Sequence, residues 1–171
     1  MSQVKDKYLW IYLNDHWAGA AAGVRLAERL ASNNSDTQWA DDLRQLANAI
    51  ETDARTLARM RRDLGITGGR IKRLIALLGE RASAVKPNGR LGGYSPLSRV
   101  LEAEALLSGV TGKRRLWAAL SHAKRQELEA YDFAELDGRA STQQELLRDF
   151  HRDAARTAFA YSSEGALEER F

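Results

Sequence analysis

The feature that most constrains this chain is a long apolar period. Trp39, Leu43, Leu46, Ile50, Ala54, Leu57, Met60 and Leu64 recur at steps of three and four. That spacing lines one face of an α-helix, whereas a half-buried strand would repeat at two. A helix of about seven turns cannot bury such a stripe by itself and needs helices of similar length against it. The pattern therefore predicts an all-α fold. The expected form is an antiparallel helical bundle, up-down in order, with extra short helices.

The rest of the chain agrees with this. Only two prolines occur, Pro87 and Pro96, and Leu and Ala are abundant. These residues lose little rotamer freedom in a helix. Leu9, Leu13, Ala20, Val24, Ala27 and Leu30 predict a first helix over 5–31. The second helix is expected over 36–64, with Ser35 or Asp36 as N-cap and Gly65 just past its end. Ile71, Leu74, Ile75, Leu78, Ala82 and Val85 predict a third over 68–85, stopped by Pro87. The glycine-rich run 86–96 reads as a loop, and Ser95-Pro96 as an N-cap with proline at the first helical position. Further segments are expected over 96–108 (ending near Gly109), 113–136 and 139–161, with Asp137-Gly138 as a turn. Residues 1–171 form one expected domain, with 162–171 a frayed tail.

Cysteine is absent, which excludes disulfides, zinc–thiolate sites and cysteine nucleophiles. The apolar run Tyr8–Leu13 is interrupted by Asn14, Asp15 and His16, so it does not read as a signal peptide. Trp17–Val24 is too short to span a bilayer. No membrane association and a cytoplasmic location are expected.

Charge is unevenly placed. Residues 55–115 hold 14 Lys/Arg and 4 Asp/Glu, a local balance of +10, while the rest of the chain carries −7. Such asymmetry signals either internal neutralisation or an acidic partner. Arg70, Lys72, Arg73, Lys86, Arg90, Lys113, Arg114 and Arg115 are the candidates for binding phosphates or nucleic acid, because guanidinium offers paired donors to phosphate oxygens. A helix-turn-helix near Leu64–Val85 and backbone N–H groups of the loop 88–94 would assist. No phosphate-loop or dinucleotide fingerprint accompanies them.

Winding the helices at 100° per residue turns several ionisable side chains inward. His16 falls between Leu13 and Ala20, Asp53 between Ile50 and Leu57, and Glu104 within the stripe of Leu97, Val100, Leu101 and Leu107. His151 and Asp153 flank the stripe of the last helix. Buried charges must pair, neutralise or bind metal. These five residues are thus either a polar layer between helices or a divalent-metal site. Glu51, Glu102, Glu145 and Asp149 point elsewhere by the same count.

Two long N-terminal helices, a broken middle and a long last helix resemble the ferritin-like bundle. The stretch 13–24, Leu-Asn-Asp-His-Trp-Ala-Gly-Ala-Ala-Ala-Gly-Val, is similar to bacterial proteins of that kind. The resemblance implies a bundle core able to house metal. That family's di-iron site uses Glu-x-x-His, and here Glu51, Glu104 and Glu145 are followed three residues later by Ala54, Leu107 and Arg148. The di-iron motif is not intact, so oxidase or storage activity does not carry over.

Gly19 and Gly23, among Ala18, Ala20, Ala21 and Ala22, give the first helix a smooth face. It suits tight packing inside the bundle or a homodimer seam. No nucleophile signature appears and no catalytic residue is assigned. The sequence thus points to a non-enzymatic interaction or scaffold protein with no resident cofactor. Its partner would be a second copy or another protein. The competing readings are a metal-binding bundle and a nucleic-acid binder.

Overall fold

The computed structural model describes residues 2–66 and 94–160. Among these the fold is all-helical, with no strand. Helix α1 spans Ser2–Ser32, α2 Ala40–Asp63, α3 Pro96–Ser121 and α4 Phe133–Phe159, with a 3-10 turn at Gln126–Leu128. The helix expected over 68–85, most of the loop 86–96 and the tail 162–171 lie outside the described residues.

Helix α2 starts four residues later than its sequence suggests. Residues 33–39 are occupied by a run of turns instead. Asn34 Nδ2 donates to the Leu30 carbonyl at 2.7 Å, and Thr37 Oγ1 donates to the Asn34 carbonyl at 2.8 Å. Neither Ser35 nor Asp36 caps the helix; the N-cap position is Trp39, without a side-chain cap. The other end follows the sequence. Gly65 adopts φ +68, and the N–H groups of Gly65 and Ile66 return to the carbonyls of Arg62 and Arg61. This pair of bonds is a Schellman close, which needs a left-handed residue where Gly65 stands. At α3, Ser95 Oγ accepts from the Ser98 N–H at 3.1 Å and Pro96 opens the helix.

Two expected breaks do not occur. Helix α3 runs through Gly109 and Gly112, and α4 runs through Asp137 and Gly138. Each glycine costs about 0.5–1 kcal/mol against alanine in a helix interior. Buried Leu106, Val110, Leu116, Trp117 and Leu120 on α3, and Leu136 and Ala140 on α4, lie on both sides of the glycines. Burial of one such leucine contributes about 1.5–3 kcal/mol, which outweighs the glycine cost. Helix α4 also has a strong start, where Asp132 Oδ1 accepts from the N–H groups of Ala134 and Glu135.

The longer α3 resets its rotation. Its inward stripe is Val100, Ala103, Leu106 and Val110, and it also buries Glu102. Leu97 and Leu101 are exposed, as is Glu104. Leu97 and Leu101, being larger than Ala103, pull a sequence-based phase towards the wrong face.

Two buried clusters fill the interior. One gathers Ala27 and Leu30 of α1, Leu43, Leu46 and Ile50 of α2, Val100 to Val110 of α3, and Leu147, Phe150 and Ala154 of α4. The other gathers Leu13, Leu57, Met60, Ile66, Leu116, Trp117, Leu120 and Leu136. Helix α3 packs most extensively on α4, and α1 on α2; α1 also meets α3 and α2 meets α4. None of the described helices is long and apolar enough to cross a membrane.

Candidate functional site: a groove beside a buried ion cluster

Asp53 sits between the two clusters with 1 % of its surface exposed. The spacing of α2 turns it inward, between Ile50 and Leu57. Its partners come from α3 and α4. Lys113 Nζ donates to Oδ2 at 2.6 Å, Arg139 to Oδ1 at 2.8 Å, and Gln143 Nε2 to Oδ2 at 3.0 Å. Lys113 Nζ also donates to Gln143 Oε1. Burial alone would push the Asp53 carboxyl up, but the Lys113 charge and these hydrogen bonds outweigh it and hold the group below the usual carboxylate value. Burial pulls the Lys113 ammonium down, against the opposing pull of Asp53. One buried carboxylate thus faces two cations.

A second polar set closes the α3–α4 seam. Arg114 grips Asp137 with two parallel bonds of 2.7 Å and reaches Gln144 Oε1 at 3.0 Å, while Gln144 Nε2 donates to Thr111 Oγ1 at 2.8 Å. On the α1–α2 side, buried Arg61 donates to Asn14 Oδ1 at 2.7 Å and stacks over Trp17. Between α1 and α3, Arg29 pairs with Glu102 at 2.9 Å, and the Tyr94 hydroxyl donates to Glu102 at 2.9 Å.

Beyond the Arg29–Glu102 pair, the α1–α3 side is built differently. Here a groove of about 950 Å³ opens between α1, α2 and α3. Gly19, Ala22 and Gly23 of α1 face Ala105, Gly109 and Gly112 of α3 across it. A Cβ placed on any of the four glycines would meet no described residue within 4 Å. The inner wall includes Ile50, Leu57, Leu116 and Trp117, with Asp53 and Lys113 among them. Trp117 is buried, and its indole Nε1 has no hydrogen-bond partner among the described residues.

The five metal candidates are dispersed. His16 lines the groove and packs edge-on against Tyr12; burial lowers its imidazole, against the pull of Asp15. Glu104 and His151 pair with each other at 3.1 Å at the surface. Asp153 accepts from Trp39 Nε1 at 2.8 Å. Asp53 is surrounded by cations and amide. Among the described residues, no three His, Asp or Glu side chains gather where they could hold a metal ion. The outward rotation of Glu104 removes it from the Asp53 level.

Of the eight basic candidates, Arg70, Lys72, Arg73, Lys86 and Arg90 lie outside the described residues. Lys113 and Arg114 are committed to Asp53 and Asp137, and Arg115 is exposed. Internal neutralisation therefore absorbs part of the basic middle. Sequence reasoning missed Glu102, Arg61 and Arg139. Gln143 carried a usable signal, a polar residue inside the α4 stripe one turn after Arg139. No family model matches this chain, and no curated protein or solved structure does either.

Proposed function

We propose that this chain is a non-enzymatic helical-bundle binding protein whose contact surface is the α1–α2–α3 groove. The observation that carries this reading is the groove itself, walled mainly by apolar and small residues, with four glycines at which an added Cβ would meet no described residue within 4 Å. A bundle folded for stability alone fills such a gap, because interiors pack to near-crystal density. Pockets of a few hundred to about 1,000 Å³ with a few polar groups in an apolar wall are the usual form of a binding site.

The bundle is an antiparallel one of ferritin-like layout. Each buried cluster supports this. The C-terminal end of α1 shares a cluster with the N-terminal half of α2, and the N-terminal half of α3 with the C-terminal half of α4. Ile66 and Tyr94, which residues 67–93 join, belong to opposite ends: Ile66 packs near Met60 and Leu116, and Tyr94 meets Asn34 and Glu102.

The absence of cysteine gives a clean test. A single thiol is introduced as Gly109→Cys in the groove or Arg148→Cys on exposed α4. Reaction with a maleimide is timed in cells and on the purified chain. The groove thiol should react more slowly in cells, and the α4 thiol equally in both. Equal rates for both thiols in both settings would sink the proposal.

A further inference from the structure

The groove wall has a chemical asymmetry that selects its occupant. Lys113 and Trp117 stand one helical turn apart on α3, and both line the groove. Lys113 carries three N–H donors, of which two are used, on Asp53 and Gln143. The Trp117 N–H has no acceptor among the described residues, although the residue is 1 % exposed. A buried donor without a partner is costly, so an acceptor arriving there has a ready-made place. Asp53 is faced by two cations, Lys113 and Arg139, and Arg139 is shared with the exposed Glu135. Lys113 is the cation of this set that lines the groove. Next to this corner the groove offers Gly19, Ala22 and Gly23 against Ala105 and Gly109, a lane of small residues, and beyond it Arg25 and the Arg29–Glu102 pair complete the lining.

We infer that the groove binds an aliphatic monocarboxylate, its head group on Lys113 and Trp117 and its chain along the glycine–alanine lane. This inference rests on the groove being the contact surface. The head would accept from the free Lys113 N–H and from the indole N–H, provided the indole turns slightly towards it. The chain would displace water from an apolar wall and meet glycine positions that leave room for methylene groups.

The test uses sodium dodecanoate and the purified chain, read by tryptophan fluorescence and by calorimetry. Saturable one-to-one binding is expected. Dodecyltrimethylammonium, with the same tail and the opposite charge, should bind at least tenfold more weakly. Lys113→Met should weaken dodecanoate at least tenfold. Because Lys113 also balances Asp53, a gentler variant is needed beside it: Trp117→Phe keeps the ring, removes the donor and should weaken binding several-fold. Gly109→Leu, which fills the lane at a position with open space, should abolish it.

No saturable dodecanoate binding would overturn the inference, as would equal affinity for the two amphiphiles or no change in Trp117→Phe and Lys113→Met. If dodecanoate fails while the Gly109→Cys thiol is still shielded in cells, the ligand class is wrong and the groove reading survives. Shielding that rises with concentration of the purified chain would identify a second copy as the occupant instead. If shielding is also absent, both readings fall.

Discussion

The two flanks of α3 are opposites. Towards α4, the polar side chains are paired across the seam, with Lys113 and Gln143 on Asp53, Arg114 on Asp137 and Gln144 on Thr111, and Arg139 Nε is left without a partner among the described residues. Towards α1, apart from the Arg29–Glu102 pair, small residues leave a gap, and a buried indole N–H has no acceptor among the described residues. One helix therefore carries a sealed seam and an unsealed one. The sealed seam shows what this sequence does when it needs adhesion between helices. The unsealed one is then a departure that calls for an occupant.

The contrast breaks most readily at Asp53. Asp53→Asn leaves Lys113 and Arg139 without their carboxylate, and should destabilise the chain by about 3 kcal/mol in denaturant titrations at neutral pH. A cost no larger than that of Asp137→Asn would show that the seam does not depend on its buried member. The same pair of proteins sharpens the point with pH. Because the folded Asp53 carboxyl lies below its unfolded value, its contribution is complete above about pH 4 and disappears as pH falls through the folded value. The gap between the native chain and Asp53→Asn should therefore narrow below about pH 4 and stay level from there to neutrality.

Smaller effects test the outer members. Asp137→Asn loosens a half-exposed two-bond pair, worth about 1 kcal/mol after solvent screening. On the open flank the sign should reverse. Gly109→Ala adds a methyl group where no described residue lies within 4 Å, so it should stabilise the chain by about 0.5–1 kcal/mol, read as a higher midpoint of thermal unfolding. A loss there would mean that the gap is closed in solution. His151→Ala, at a surface pair with Glu104, should change stability by less than about 0.5 kcal/mol.

How much of this was legible in the sequence depended on side-chain size and helix length. Helix α2 has large apolar residues at nearly every inward position, so its face, and the inward turn of Asp53, could be read. Helix α3 could not be phased, because Ala103 is small, Leu97 and Leu101 are large, and two glycines suggested an end where the helix continues. Local propensity favoured breaks at Gly109 and Gly138, and burial on both sides overrode it. Arg139 was illegible for another reason. Its role depends on which helix lies opposite, and spacing within one segment carries no such information. The groove was half visible, as the smooth face of α1, while its opposing wall on α3 was hidden by the expected break.

The carboxylate of Asp53 also bears on alignment. Stacked layers of leucine and alanine are nearly interchangeable, so neighbouring helices could slide by one turn and still meet oil with oil. Asp53 is not interchangeable with its neighbours. A one-turn slip of α4 would carry Arg139 and Gln143 about 5 Å along its axis and strand an anion among methyl groups. A single notch cut in this way lets an otherwise slippery set of helices settle at one setting.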